Sequence, residues 1–234
     1  IKKGSKLHLA LKNIDLTIPK GQFCSIIGPS GSGKTTLLNL IAGLDKSFDG
    51  EIKFEGNKNI KNTRLAYMFQ TPRLLPWLNV IENVEAVLNK EQKTKSKEIL
   101  NLMGLENFLK YYPNKLSGGM QRRVALARSF SAEPELFILD EPFISLDEPV
   151  ANILRKMLID LWTNQPTTII FVTHDINEAI YLSDRIIFLS KAPAKIIKDV
   201  KIKYSRPRNF YNTEIEKIKK EILKANKSIL NGEL

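Results

Sequence analysis

One glycine-rich stretch in the sequence has residue types and spacing that suit the binding of phosphate. It runs Gly28-Pro29-Ser30-Gly31-Ser32-Gly33-Lys34-Thr35 and fits the pattern G-x-x-x-x-G-K-[ST]. Its glycines let the backbone curl so that successive N–H groups converge on an anion. Lys34 can reach the β- and γ-phosphates of a nucleotide, and the Thr35 hydroxyl can ligate Mg²⁺. The stretch predicts a nucleotide-phosphate site, but it does not separate a kinase, a GTPase, a helicase and a transporter motor.

Two carboxylates, Asp140 and Glu141, follow the apolar run Leu136-Phe137-Ile138-Leu139. Such a run predicts a buried strand that ends in acid at the carboxyl edge of a sheet, where open parallel sheets bind ligands. Asp140 is placed to hold the Mg²⁺ shell, and Glu141 can polarise an attacking water as a general base. The pattern also fits an N-capping Asp followed by an acidic first helical turn. The phosphate-binding stretch upstream favours the catalytic interpretation.

A second turn suited to anions reads Leu116-Ser117-Gly118-Gly119-Met120-Gln121-Arg122-Arg123. It combines a hydroxyl, two glycines and the start of a predicted helix. Read alone, it is also an ordinary capped turn. Together with the two motifs above, it makes the sequence resemble the nucleotide-binding subunits of ATP-binding cassette (ABC) transporters. The turn is similar to the signature sequence of that family, with Met120 where Gln is often found.

The resemblance extends from about Leu9 to Leu189 and implies further roles. Gln70 looks like the family's glutamine that senses Mg²⁺ and the attacking water, and His174 looks like the switch histidine that contacts the γ-phosphate. The segment Ser145-Leu146-Asp147 looks like the loop that crosses the dimer interface. In the family, the signature of one subunit closes over ATP held by the other, so the resemblance implies a head-to-tail homodimer with two sandwiched ATP molecules.

The expected site residues fall into three groups, with ATP and Mg²⁺ as the implied cofactors. The nucleotide-binding group is Gly28, Pro29, Ser30, Gly31, Ser32, Gly33, Lys34, Thr35 and Thr36, joined from the second subunit by Ser117, Gly118 and Gly119. The catalytic group is Glu141, His174 and Gln70. The metal-binding group is Thr35, Gln70 and Asp140.

The elements that must position these residues are short apolar runs that alternate with amphipathic stretches. This order predicts an α/β fold with a mainly parallel core sheet and helices on both faces. Alternation over Leu9–Ile18 predicts an antiparallel hairpin, and Glu51–Gly56 is typical of an exposed strand, so we expect an N-terminal antiparallel β subdomain. The charged stretch from about 78 to 132 predicts a helical subdomain, and 206–234 a basic helical tail. We expect residues 1–234 to form a single ABC ATPase domain of the P-loop NTPase class.

The resemblance implies that the segment between Gln70 and Trp77 contacts a membrane partner. In the family, this region forms the groove that takes the coupling helix of the permease, and its apolar residues between prolines suit a partner pocket. Trp77 also fits a plain cap of the helical subdomain. Pro72-Arg73-Leu74-Leu75-Pro76-Trp77 and Ala179-Ile180-Tyr181-Leu182-Ser183-Asp184-Arg185 are similar to the nitrate, sulfonate, taurine and thiamine-precursor importers.

The resemblance therefore implies the ATPase subunit of a bacterial importer, held peripherally at the cytoplasmic face of the plasma membrane. Integral-membrane permease subunits and an extracytoplasmic solute-binding protein complete such a complex. Two alternatives stay open: a soluble ABC ATPase that acts on nucleic acid or a protein assembly, and a nucleotide kinase. The kinase leaves the signature turn and His174 unexplained. We expect no nucleic-acid partner.

Composition excludes some classes and leaves others open. One cysteine among 234 residues excludes an intrachain disulfide, and with only two histidines a Cys/His metal cage is not expected. The net charge is +11, and residues 191–234 carry 12 basic and 5 acidic residues. Such an excess attracts anionic lipid or nucleic acid, or simply keeps a lysine-rich surface soluble. Residues 1–8 contain no aromatic to stack on adenine, so that residue lies upstream of Ile1 or the ring packs elsewhere.

Overall fold

The computed structural model of this protein describes residues 9–54, 63–144, 146–224 and 228–233. Its strands and helices, in chain order, are β1 (Phe23–Ile27), α1 (Lys34–Ile41), β2 (Leu65–Met68), α2 (Val80–Glu85), α3 (Thr94–Leu102), α4 (Gly118–Ser131), β3 (Leu136–Asp140), α5 (Glu148–Asn164), β4 (Thr168–Val172), α6 (Ile176–Leu182), β5 (Arg185–Leu189), β6 (Ile196–Lys201) and α7 (Thr213–Lys224). Short 3-10 turns occupy Lys90–Gln92, Glu106–Phe108, Pro113–Lys115 and Ile229–Asn231. The described residues divide into two units, the first within Ile1–Ile18, Phe23–Gly50 and Val172–Leu234, the second within Pro19–Gln22 and Glu51–Phe171.

The first unit contains three neighbouring strands in the order β1-β5-β6. β1 and β5 are parallel, with Cys24 opposite Arg185, whereas β5 and β6 are antiparallel. All five residues of β1 are buried, which explains why its sequence is an apolar run rather than an alternation. The antiparallel strand β6 was not predicted, because its sequence mixes isoleucines with charged residues and it is only partly buried.

Helix α7 belongs to the basic tail and packs against α6 through one apolar face. Ile215, Ile218 and Ile222 recur at helical spacing and are no more than 5% exposed, while the charged residues between them face outward. The helix is described as far as Lys224, residues 225–227 lie outside the described residues, and a 3-10 turn follows at Ile229–Asn231. None of the helices in the described ranges is long and apolar enough to cross a bilayer.

The second unit contains the strands β2-β3-β4 as neighbours, with Val172 at the end of β4 assigned to the first unit. β2 and β3 are parallel, and all five residues of β3 are buried up to its last residue, Asp140. Helices α2 and α3 pack against α4. The start of α2 is fixed by a capping box between Asn79 and Glu82. The α/β class with mainly parallel strands is confirmed, while the predicted boundaries of a helical subdomain stay a prediction.

The predicted hairpin over Leu9–Ile18 is wrong for the described part of the chain. These residues form no strand, and Leu11 makes an isolated parallel bridge with Ala194. The bridge is closed by the Lys12 N–H, which donates to the Ala194 carbonyl at 2.9 Å. Leu11, Ile14, Leu16 and Ile18 are half-buried and Leu9 is 51% exposed, so the alternation marks partial burial without an antiparallel partner among the described residues. Residues 51–54 of the second predicted strand are irregular as well, and 55–56 lie outside the described residues.

Candidate nucleotide-hydrolysis site

The phosphate-binding stretch of the first unit connects the end of β1 to the start of α1. Gly31 and Gly33 have φ of +76° and +91°, a left-handed conformation that favours glycine. A Cβ on Gly33 would also lie 3.1 Å from Leu11 Cδ2, so the bridge segment leaves no room for a side chain there. α1 begins at Lys34 without a side-chain cap, which leaves its first N–H groups directed at the stretch.

Two side chains of this stretch are buried in a way that suits an anion. Lys34 is 8% exposed, and its Nζ donates to the carbonyls of Gly28 at 2.8 Å and Pro29 at 2.9 Å. The ammonium is thereby folded back across the loop. Ser32 is 1% exposed, and its Oγ has no hydrogen-bond partner among the described residues. A buried hydroxyl without a partner is costly, and a phosphate oxygen would accept a hydrogen bond from it.

The loop after β4 presents His174 to solvent on a rigid support. The Thr173 hydroxyl donates to Glu178 Oε2 at 2.6 Å, and Thr173 Oγ1 accepts from the Asp175 N–H at 3.1 Å. Asp175 caps α6 by accepting from the Asn177 N–H at 2.7 Å. Thr173 and Glu178 are 2% and 7% exposed, so the residues on either side of His174 are fixed by buried hydrogen bonds.

In the second unit, the two acidic candidates lie at the carboxyl end of β3. Asp140 is 6% exposed, whereas Glu141 is partly buried and adopts a φ of +46°, which is strained for a residue with a side chain. Gln70 Nε2 donates to Glu141 Oε2 at 3.4 Å. The structure therefore brings together Gln70 and Glu141, two residues that are 71 positions apart in the sequence.

Tyr67 is a residue of this end of the sheet that sequence reasoning missed. Burial raises the pKa of its hydroxyl, and the negative charge of Asp140, to which it hydrogen-bonds, raises it further. Its ring stacks on Phe69 at 4.1 Å between centroids, and the guanidinium of Arg73 covers Phe69 at 3.6 Å. The sequence pattern around Tyr67 is that of an ordinary strand, so it does not predict the contact with Asp140.

Arg122, on the signature helix α4, was also missed. It is 8% exposed, and burial lowers its pKa. Its Nη1 donates to the carbonyls of Gln70 at 2.9 Å and Pro142 at 2.8 Å, and its Nη2 donates to the carbonyl of Ile144 at 2.8 Å. One guanidinium thus joins the backbone after β2 to the backbone after β3.

The signature turn itself is exposed at its tip and packed at its base. Ser117 caps α4 by accepting from the Met120 N–H at 3.2 Å. Ser117 and Gly118 are exposed, but a Cβ on Gly119 would lie 2.7 Å from Cγ1 of Val150 at the start of α5. Of the predicted Ser145-Leu146-Asp147 loop, Ser145 lies outside the described residues.

The backbone of the segment that follows Gln70 is anchored by hydrogen bonds from side chains of two helices. Arg128 of α4 donates to the carbonyls of Pro72 and Arg73, both at 3.1 Å. Asn83 of α2 is fully buried, and it binds the N–H of Leu75 at 2.8 Å and its carbonyl at 3.1 Å. Trp77 at the end of the segment is 69% exposed. A large aromatic that is exposed beside an anchored loop is typical of a protein-contact surface.

Comparison with known proteins gives a consistent result. The family model described as ABC transporter matches residues 11–144. Aliphatic sulfonates import ATP-binding protein SsuB from Bacillus cereus is 45% identical over 217 residues, which cover 91% of this chain and 86% of that protein. The protein of the same name from Bacillus subtilis is 41% identical and covers 95% and 89%. A solved post-hydrolysis dimer of the ATP-binding cassette MJ0796, bound to ADP and Pi, has a TM-score of 0.76, 35% identity, and coverage of 88% and 96%. With a family model that matches more than half of the chain and relatives above 40% identity along most of it, this protein belongs to the ABC transporter family, as an ATP-binding subunit.

Proposed function

We propose that this chain hydrolyses ATP to power a bacterial importer of aliphatic sulfonates. The proposal of ATP hydrolysis rests on one observation. The Gln70 amide lies 3.4 Å from the Glu141 carboxylate, which directly follows the buried Asp140. The cargo is proposed because relatives named for aliphatic-sulfonate import match 91% of the chain or more. The same full-length likeness disfavours a soluble ABC ATPase of another function.

ATP is proposed to bind the first unit through its triphosphate. The backbone N–H groups of Gly31 and Gly33 and the start of α1 would surround the phosphates, and Lys34 would turn from the carbonyls that it now binds. The buried Ser32 hydroxyl, which has no partner among the described residues, would donate to a phosphate oxygen. Pro29, Ser30 and the Thr36 hydroxyl complete the proposed set of contacts.

Thr35, Gln70 and Asp140 are proposed to hold Mg²⁺, because hydroxyl, amide and carboxylate oxygens are the hard donors that this ion prefers. When bound, the ion neutralises charge on the phosphates. Burial of Asp140 suits a carboxylate whose charge is offset by a cation.

Glu141 is proposed as the general base of hydrolysis. Its carboxylate would take a proton from water as the water oxygen bonds to the γ-phosphorus, while the bond to the β–γ bridging oxygen breaks and ADP leaves. Gln70 would orient that water, and His174 would donate to the γ-phosphate from its rigid loop. The hydrogen bonds to the carbonyls of Pro142 and Ile144 would restrain the turn that carries the base.

Two copies are proposed to bind head to tail, with Ser117, Gly118 and Gly119 of one copy closing over the γ-phosphate of the other. The exposed tip of the turn would supply the Ser117 hydroxyl and the first N–H groups of α4 as donors for this contact. The exposed Trp77 and the segment from Gln70 would receive a permease helix at the inner face of the plasma membrane, and a solute-binding protein would deliver cargo from outside.

Steady-state ATP hydrolysis tests the enzymatic part. Glu141→Gln should reduce kcat at least about 100-fold and leave ATP bound in stable dimers, since only the proton acceptor is removed. Glu135→Gln is the matched control, because Glu135 lies exposed just before the opposite end of β3. Retention of full turnover by Glu141→Gln would refute its role as the base.

Uptake of a labelled alkanesulfonate tests the cargo. A deletion strain that carries the wild-type gene should take up the sulfonate, and one that carries the Glu141→Gln variant should not. If uptake of the sulfonate is unchanged by deletion while uptake of nitrate is lost, the proposed cargo is wrong, although the chain still serves an importer.

A further inference from the structure

We propose that Arg122 is a positioning residue for hydrolysis, which holds Gln70 and Glu141 in register through their backbones. The inference rests on the proposed function, because it concerns how the proposed base and its glutamine are placed. Arg122 touches neither reacting side chain, so its effect is transmitted through the main chain.

The argument begins with the three carbonyls that Arg122 binds. They belong to Gln70, at 2.9 Å, and to Pro142 and Ile144, both at 2.8 Å. The first lies in the loop after β2, and the other two lie in the turn that immediately follows Glu141. A planar guanidinium presents its donors in a fixed fork, so it sets the distance between the two backbone segments as well as joining them.

The turn held by Arg122 needs a restraint. Glu141 has a φ of +46°, and such strained residues persist only where the surroundings determine them. Its own turn supplies one long backbone bond, from the Ile144 N–H to the Glu141 carbonyl at 3.3 Å. The two bonds from Arg122 to Pro142 and Ile144 are shorter and charge-assisted, and therefore stronger.

The bond between Gln70 and Glu141 depends on this register. At 3.4 Å from Nε2 to Oε2 it is at the long limit of a hydrogen bond, so a small displacement of either loop would break it. The burial of Arg122, which is 8% exposed, increases the cost of its removal. The carbonyls that it binds would then have little access to water as a substitute hydrogen-bond donor.

The neighbouring Arg123 offers a matched control. It lies on the same helix, and its Nη1 donates to the carbonyls of Met103 at 2.7 Å and Gly104 at 3.4 Å. Arg123 thus makes the same kind of contact, but the carbonyls that it binds do not belong to proposed site residues or to their loops. Arg123 is half-buried and thus more exposed than Arg122, so it controls for the kind of contact rather than for burial.

The test compares Arg122→Met and Arg122→Lys with Arg123→Met and Arg123→Lys in ATP hydrolysis and ATP binding. We expect Arg122→Met to lower kcat at least about ten-fold, with ATP affinity within about two-fold of wild type, because the phosphates bind elsewhere. Arg122→Lys should have a kcat between those of Arg122→Met and the wild type, since a single ammonium replaces the planar guanidinium. Both Arg123 variants should stay within about two-fold of wild type in kcat.

A second comparison separates positioning from a general loss of structure. In a Gln70→Ala background, Arg122→Met should cause a clearly smaller loss of kcat than it causes in the wild type, because part of its effect acts through the Gln70–Glu141 arrangement. A full ten-fold further loss would overturn the proposal, as would an Arg122→Met kcat equal to that of Arg123→Met. The proposal is also overturned if neither Arg122 variant folds while both Arg123 variants do. Absence of hydrolysis in the wild type would instead refute the proposed function.

Discussion

Replacement of Gly119 by alanine tests whether the base of the signature turn is packed as the structure shows. The added Cβ would lie 2.7 Å from Val150 Cγ1, a separation that real Cβ contacts essentially never have. Val150 sits in the first turn of α5, where a β-branched side chain has one strongly preferred rotamer, so it cannot easily turn away. Overpacking of this kind costs about 1–3 kcal/mol.

Gly118 provides the matched control for this substitution. A Cβ there would meet nothing within 4 Å, although both glycines lie in the first turn of α4. Alanine in place of glycine in a helix gains about 0.5–1 kcal/mol, and this gain applies to both positions. Gly119→Ala should therefore be less stable than Gly118→Ala by about 1–3 kcal/mol, which is the overpacking alone.

Urea unfolding followed by circular dichroism measures both free energies of unfolding. Val150→Ala removes the Cγ1 atom, so the Gly119→Ala/Val150→Ala double variant should regain about 1 kcal/mol or more relative to the sum of the single changes. Equal stability of Gly118→Ala and Gly119→Ala, or strict additivity with Val150→Ala, would refute the packing argument. Gly118→Ala should still lower ATP hydrolysis, because its Cβ stands in the exposed tip proposed to meet ATP.

Further outcomes follow from three buried polar groups, Lys34, Cys24 and Arg208. Lys34→Ala should weaken ATP binding at least about ten-fold by calorimetry, because a charged contact to phosphate is lost; unchanged affinity would contradict the proposed contact. Burial raises the pKa of the Cys24 thiol to about 12, so a thiol reagent at about pH 8 should label the unfolded but not the native protein. This raised pKa also means that the stability linked to Cys24 is complete below about pH 9 and declines as pH rises towards 12, and a flat alkaline profile would contradict it. Arg208, 6% exposed, donates to the carbonyls of Ser183 at 2.7 Å and Tyr204 at 2.6 Å, so Arg208→Met should cost about 3 kcal/mol in urea unfolding; a loss below about 1 kcal/mol would show that those carbonyls find other partners.

Elements whose burial is uniform could be predicted from sequence. The runs that became β1 and β3 are apolar on both faces, and no other local structure of that length fits between their flanking turns. The phosphate-binding stretch was equally local, since Gly31, Gly33 and Lys34 act within a few residues of one another. The apolar positions of α7 followed helical spacing.

Features that depend on distant contacts could not be predicted. Arg122 meets carbonyls 52, 20 and 22 positions away, and a bond to a carbonyl can be made to any residue type. Tyr67 was missed for the same reason, because its partner Asp140 lies on another strand. The wrong prediction at Leu9–Ile18 has a related cause. Alternation indicates which side chains are buried, but it does not identify the backbone with which the segment pairs. In the structure, Leu11 pairs with Ala194.

Purification of the tagged chain from its own host in mild detergent, with mass spectrometry of what accompanies it, tests the importer assignment most directly. The account predicts a multi-span permease in the wild-type sample and its loss on Trp77→Ala. Tyr211→Ala is the control, because Tyr211 is 66% exposed against 69% for Trp77 but lies in the tail. Recovery of only soluble proteins or nucleic acid, or a permease that Trp77→Ala retains as well as Tyr211→Ala does, would contradict the account.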